Sequence, residues 1–220
     1  MRNTGPMWSY EGATGPDRWA SLDPAWVANI GDRQSPIDLP TSAPTGYAAL
    51  EVEYSSSPAS VTIDHQSLRL DFEDEQKAGL KGTEYSLDHV HMHTASEHTV
   101  DGEFAPFEIH LVHADAYGRF MVLGVLGMVG KEASRIHLVL EQAQRFDPSW
   151  LLPQDQSRFW LYEGSLTTPP LSETVTWVVF ADRLEASDSQ VSALEAICHG
   201  NRRPVQPTMN RRVERVGFAG

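Results

Sequence analysis

Residues 89–102 read HVHMHTASEHTVDG, and residues 107–114 read FEIHLVHA. Side chains alternate along a strand, so His89, His91 and His93 share one face of the first segment. In the second, Glu108, His110 and Val112 fall on one face, with Ile109, Leu111 and His113 on the other. If the two segments pair as a hairpin, His110 joins His91 and His93 in a three-imidazole set. Three neutral imidazoles without a thiolate leave a fourth tetrahedral position open to water, the pattern of a catalytic rather than a structural zinc site. His98, His113, His137 and His199 read individually as structural residues.

The same alternation recurs outward from this core. Over 66–74, Leu68, Leu70 and Phe72 fall on one face, with Ser67, Arg69, Asp71 and Glu73 on the other. Further strands are expected over 85–94, 107–114, 119–129, 157–164 and 174–181. Two helices are expected. One covers 131–145, with Ile136, Val139, Leu140 and Ala143 along one stripe and Asp147-Pro148 as its stop. The other covers 187–198, opening on Ser187 and Gln190 in capping-box spacing and ending at Gly200. The first 60 residues, rich in Pro, Gly, Ser and Trp, read as a wrapping segment. Many closely spaced strands with few helices point to a mainly β (α+β) fold built on a largely antiparallel sheet. Neither a linker nor an internal repeat interrupts the chain, so residues 1–220 are expected to form one domain.

Composition narrows the function. The chain has 220 residues, 17 Lys+Arg against 30 Asp+Glu and a net charge of −13. Such acidity disfavours non-specific nucleic-acid binding, which needs cations to displace phosphate counterions, and equally disfavours an anionic membrane surface. The longest apolar stretch, 120–129, is about half of what a membrane-spanning helix requires. Residues 1–12 lack the apolar core of a signal peptide. The single cysteine, Cys198, closes no intrachain disulfide. These features lead to an expectation of a cytoplasmic protein, with a periplasmic or secreted location as the alternative had a leader been removed.

Two further segments carry a resemblance. Residues 164–170 read GSLTTPP, followed by Val175-Thr176-Trp177, and residues 34–38 read QSPID. With the two histidine segments, these resemble the signature segments of the α-class carbonic anhydrases. The resemblance runs from Trp8-x-Tyr10 and Gly15-Pro16 to Asn201-x-Arg203-Pro204, and the short HxHTxSEH connection is similar to that of bacterial members. It implies a central twisted, mostly antiparallel sheet of about ten strands with a few peripheral helices, and the reversible hydration of carbon dioxide to bicarbonate by zinc-bound hydroxide. It implies that His91, His93 and His110 hold Zn2+. Thr167 would accept a hydrogen bond from the nucleophile and pass its own proton to Glu97, while Glu108 would orient His110. Val112, Val122, Leu166, Val175 and Trp177 match an apolar wall for carbon dioxide, and Thr168 lines the substrate side. Tyr10 and Tyr162 match tyrosines of the surrounding solvent network. Sulfonamides and anions are expected as inhibitors, and the oligomeric state is left open, a homodimer included.

Three positions depart from that pattern. Gln66 occupies the place of the proton-shuttle histidine, and glutamine carries no proton at neutral pH. Proton export is therefore expected to be slow: His65 is adjacent, but strand alternation would turn it to the opposite face, so it rescues the shuttle only if the backbone is irregular there. His89 stands where the family has a glutamine, and a neutral imidazole there would accept the second N–H of His91. The cysteine that often precedes QSPID in bacterial members is missing, which agrees with a reducing compartment. Two alternatives stay open. One is a catalytically silent relative of the same fold, although such relatives typically lose a zinc-ligand histidine. The other is a cupin-type oxygenase, because His91, His93 and Glu97 resemble the first cupin metal motif, in which Glu97 would itself ligate iron or manganese.

Overall fold

The computed structural model describes residues 7–141 and 144–218. Its frame is a 13-stranded mixed sheet. Ten strands follow one another across it in the order Arg145–Phe146, Ser57–Asp64, Ser67–Phe72, Thr83–His93, Glu108–Ala114, Phe120–Val129, Val175–Phe180, Phe159–Gly164, Val213–Val216 and Thr45–Gly46. Leu50–Glu53, Lys77–Leu80 and Leu184–Ala186 extend it off this path. Most neighbours are antiparallel. The parallel pairs are Phe120–Val129 with Val175–Phe180 and with Leu184–Ala186, and Val213–Val216 with Thr45–Gly46.

Glu108–Ala114 lies at the centre, flanked by Thr83–His93 on one side and Phe120–Val129 on the other. All its residues but Ala114 are buried, because neighbours take both edges and packed side chains cover both faces. Ile109, Leu111, Val90, Met92, Leu123 and Val125 face the larger core, against Ile136 and Val139 of one helix and Leu194 and Cys198 of another. Val112, Val122, Trp177 and Val179 face a second cluster with Ile37, Leu39 and Trp160. Burying each such side chain contributes roughly 1.5–3 kcal/mol. One strand thus supplies core from one face and chemistry from the other.

The strands lie within two residues of the sequence expectations, with one consequential difference. His65 and Gln66 are not in a strand: with φ of 45° and 58° they form the turn between Ser57–Asp64 and Ser67–Phe72. The alternation that placed them on opposite faces therefore does not apply to them. The helix expected over 131–145 is shorter, Ser134–Leu140, because Arg145 and Phe146 join the sheet edge beside Pro58 and Ser57. Ala143 lies outside the described residues. Asp188–Cys198 forms as expected, with Ser187 and Gln190 closing a capping box. The N-terminal segment holds short helical turns at Gly12–Thr14, Pro16–Arg18, Trp19–Leu22 and Pro24–Val27. Their short length hid them from periodicity, and aromatic packing holds them: Trp8, Tyr10, Trp19 and Trp26 cluster together with Leu171. No helix among the described residues is long and apolar enough to cross a membrane.

Candidate metal centre

The hairpin register places His91 directly opposite His110, and His93 opposite Glu108. One ring nitrogen from each of His91, His93 and His110 lies within 4.8 Å of the others. His91 Nε2 and His110 Nδ1 are 3.3 Å apart. That separation equals the edge of a tetrahedron with zinc–nitrogen bonds of about 2.0–2.1 Å. His93 Nε2 is buried and without a hydrogen-bond partner, a state that ordinarily requires an explanation. A cation shared by the three lone pairs supplies one, so these residues fit zinc.

The far nitrogens of two of the three are committed. His93 Nδ1 donates to the Asn201 carbonyl at 2.5 Å, and His110 Nε2 donates to Glu108 Oε1 at 2.9 Å. These bonds fix the tautomers that leave Nε2 of His93 and Nδ1 of His110 free for a metal. Burial lowers the pKa of His91 well below 6.5, with the neighbouring imidazoles adding to it. Burial also lowers that of His110, offset by Glu108. His91 and His110 are therefore neutral at pH 7.

Glu108 is fully buried and saturated. Its Oε1 also accepts from His98 Nδ1 at 2.7 Å, and its Oε2 accepts from the backbone N–H groups of Glu97 and His98 at 2.9 Å each. Burial alone would raise its pKa; the His98 and His110 imidazoles outweigh this and hold it well below the usual carboxylate range. Gly124, opposite His110, leaves the room this needs: a Cβ there would stand 3.2 Å from Glu108 Oε1. His98 Nε2 lies 2.6 Å from the hydroxyl of Tyr162, which in turn contacts Ser35 Oγ at 3.0 Å. His98, Glu108 and His110 also form a geometric triad, but its atoms are spent on these hydrogen bonds. Tyr162 thus belongs to the support behind His110. Tyr10 sits in the aromatic cluster of the N-terminal segment.

Glu97 is fully buried too. Its Oε1 accepts from the Arg203 backbone N–H at 2.8 Å, while its Oε2 has no hydrogen-bond partner and stands 3.6 Å from His93 Nε2. Above the imidazoles opens a cavity of about 240 Å³, lined by His91, His110, Val112, Val122, Leu166, Thr167, Thr168 and Trp177. Val175 does not line it; fully buried, it packs behind the wall. Phe120, Pro169, Asp88 and His89 also line it. Phe120 and Pro169 bordered expected strands or motifs without signalling a role. The Asn201 carbonyl, a backbone group, had no side-chain signal at all.

The rim differs from expectation. His89 does not accept from His91: its Nδ1 pairs with Asp88 Oδ2 at 2.7 Å, and His91 Nδ1 has no partner. The aspartate immediately before His89 captures the ring, and the two imidazoles stack with centroids 5.0 Å apart instead. Gln66 Nε2 lies 3.1 Å from His199 Nε2. His65 stacks flat on Trp8, with centroids 4.3 Å apart and planes within 5°, and neither His65 nor Gln66 lines the cavity itself.

Residues 14–217 match the sequence model of the eukaryotic-type carbonic anhydrases. A carbonic anhydrase of Klebsiella pneumoniae is 34% identical over 219 residues, covering 93% of this chain and 89% of the relative. One of a Nostoc species is 30% identical, covering 94% and 84%. The solved α-carbonic anhydrase of Thermovibrio ammonificans, in complex with the inhibitor sulfanilamide, superimposes with a TM-score of 0.89 at 36% identity, covering 96% of this chain and 99% of that one. Dioscorin complexed with ascorbate is similar at a TM-score of 0.85 and 27% identity, covering 96% and 98%.

Proposed function

We propose, from the premise that this chain belongs to the eukaryotic-type carbonic anhydrase family, that it hydrates carbon dioxide with a zinc ion held by His91, His93 and His110. The observation that carries this reading is the convergence of three imidazole nitrogens, one of them buried and unpartnered, beneath a largely apolar cavity. Zinc bound there supplies a Lewis acid that makes water a nucleophile near pH 7.

The protein's own groups do the rest. His91, His93 and His110 bring the lone pairs, and burial keeps His91 and His110 neutral, so their ligation releases no proton at neutral pH. Glu108 holds His110 in its tautomer, and the Asn201 carbonyl does the same for His93. In this reading Thr167 accepts a hydrogen bond from the nucleophile and donates its own proton to Glu97 Oε2, a buried oxygen that has no hydrogen-bond partner in this structure. That directionality aims a lone pair rather than a hydrogen at the incoming carbon. Val112, Val122, Leu166 and Trp177 receive carbon dioxide, which has no net dipole and gains little from polar groups. Thr168, beside them, meets the bicarbonate formed.

The released proton leaves across the rim. Gln66 cannot carry it, so His65, stacked on Trp8 in the adjoining turn, takes that role. Sulfonamides and small anions would compete for the same floor; the Thermovibrio relative is a complex with the inhibitor sulfanilamide. The test is stopped-flow hydration of carbon dioxide with and without sulfanilamide. Rapid hydration abolished by stoichiometric inhibitor supports the reading; zinc-loaded protein without hydration overturns it.

A further inference from the structure

The turn that carries Thr167 is held from outside by the N-terminal segment. Within it, Leu166 N–H donates to Ser172 O at 3.1 Å and Leu171 N–H to Thr168 O at 3.0 Å. Its outer side meets residues 29–34. Asn29 Nδ2 donates to Pro170 O at 2.9 Å. Glu173 Oε1 accepts from the backbone N–H groups of Gly31 and Arg33, at 2.9 and 2.8 Å, and from Gln34 Nε2 at 2.9 Å. Leu171 is plugged into the Trp8, Tyr10, Trp19 and Trp26 cluster.

The same bonds lead on to the buried glutamate. Gln34 Oε1 accepts from Arg203 Nη1 at 2.8 Å, and the backbone N–H of Arg203 donates to Glu97 Oε1 at 2.8 Å. Gln34, Arg203 and Glu97 are all buried, so water does not compete for these bonds. Bonds to the Glu173 carboxylate and from the Arg203 guanidinium are charge-assisted and correspondingly short and stiff. Glu173 reaches the backbone only past a glycine: a Cβ on Gly31 would stand 2.8 Å from Glu173 Oε2. Glu173, Gln34 and Arg203 thus run as one hydrogen-bonded chain from the Thr167 turn to Glu97, and none of them lines the cavity.

We propose that Glu173 and Gln34 are positioning residues that, through Arg203, set the separation of Thr167 from Glu97. The inference rests on the Thr167–Glu97 relay of the proposed function. Its logic is mechanical. Thr167 sits on a turn and Glu97 on a separate loop, so their alignment depends on whatever spans the two. A misplacement of 1 Å at a reacting group costs up to about 100-fold in rate.

The test is a double-mutant cycle on the zinc-loaded protein. Glu173→Gln keeps the shape and one acceptor oxygen but removes the charge, and Gly31→Ala displaces the carboxylate while leaving Glu173 in place. Each is made alone and in a Thr167→Ala background, with kcat/KM for hydration, zinc content and Tm measured for all. Each alone is expected to lower kcat/KM about tenfold with zinc content unchanged, and to add less than about twofold once Thr167 is gone. The fall in Tm should be the same in both backgrounds, and a crystal structure of Glu173→Gln should show a longer Thr167 Oγ1 to Glu97 Oε2 distance than the native protein. Equal fold-losses with and without Thr167, or unchanged kcat/KM in both single variants while Thr167→Ala is impaired, would overturn the positioning role alone. Full hydration by Thr167→Ala would overturn the relay and this inference with it.

Discussion

Two of the three imidazoles on the cavity floor have their far nitrogen committed, His93 to the Asn201 carbonyl and His110 to Glu108, whereas the rim imidazoles rest on an indole and an exposed aspartate. His93 and His110 stand on paired strands and are almost fully buried, with partners that are themselves saturated. His65 lies in a two-residue turn at positive φ, and His89 pairs with Asp88, whose side chain is 57% exposed. A metal must be met at fixed distances and angles, so its ligands need redundant support. A proton carrier must instead reach solvent, and His65 is exposed.

Two experiments separate floor from rim, and a third tests the opposite face of the central strand. The largest effect is expected on the floor. Glu108→Ala removes acceptors from His110, His98 and two backbone N–H groups at once, and should weaken zinc binding about 10–100-fold, measured by competition with a chromogenic chelator. An unchanged affinity would mean that strand pairing alone orients His110. At the rim the effect is smaller and buffer-dependent. His65→Ala should lower kcat about three- to tenfold in weak buffer, leave kcat/KM unchanged, and recover with added imidazole. If His65→Ala matches the native enzyme in every buffer, the proton leaves by another route.

The third measurement concerns the face of Glu108–Ala114 turned away from the metal. His113 is fully buried there against Tyr54, and burial lowers its pKa from 6.5 to about 4. Between those values the unfolded chain binds a proton that the native protein does not. The stability linked to His113 is therefore complete above about pH 6.5 and is lost as the pH falls towards 4, by roughly 3 kcal/mol at most. His113→Asn should be less stable at pH 7.5 yet show a smaller drop in Tm between pH 7.5 and 5. A drop as large as that of the native protein would place the acid sensitivity elsewhere.

How far the sequence could be read follows the same division between floor and rim. His91, His93 and His110 were legible because strand alternation is a rigid rule and neighbouring strands bring opposite residues together. The apolar wall came from the family resemblance alone, and all of it lines the cavity except Val175, which lies one layer further back. The rim was not. Alternation was carried one step too far into the turn at His65 and Gln66, where positive φ replaces the pleat. The sequence pattern makes His89 an acceptor for His91, but its Nδ1–H donates to the adjacent Asp88 carboxylate, which turns the ring to stack on His91 instead. The helix over 131–145 was overextended because an apolar stripe does not reveal that Arg145 and Phe146 have an open sheet edge to join. Nor could any pattern show that Gln34, Glu173 and Arg203, far apart in sequence, meet between Thr167 and Glu97.

The central claim is that the three imidazoles of the floor hold the ion that makes this chain a catalyst. Titrating zinc into chelator-stripped protein, with hydration followed at each addition, tests it most directly. Activity should rise linearly and stop at one zinc per chain, and His93→Ala should neither retain that equivalent nor hydrate carbon dioxide. Full hydration by the stripped protein, or zinc-dependent hydration that survives loss of His93, would contradict it.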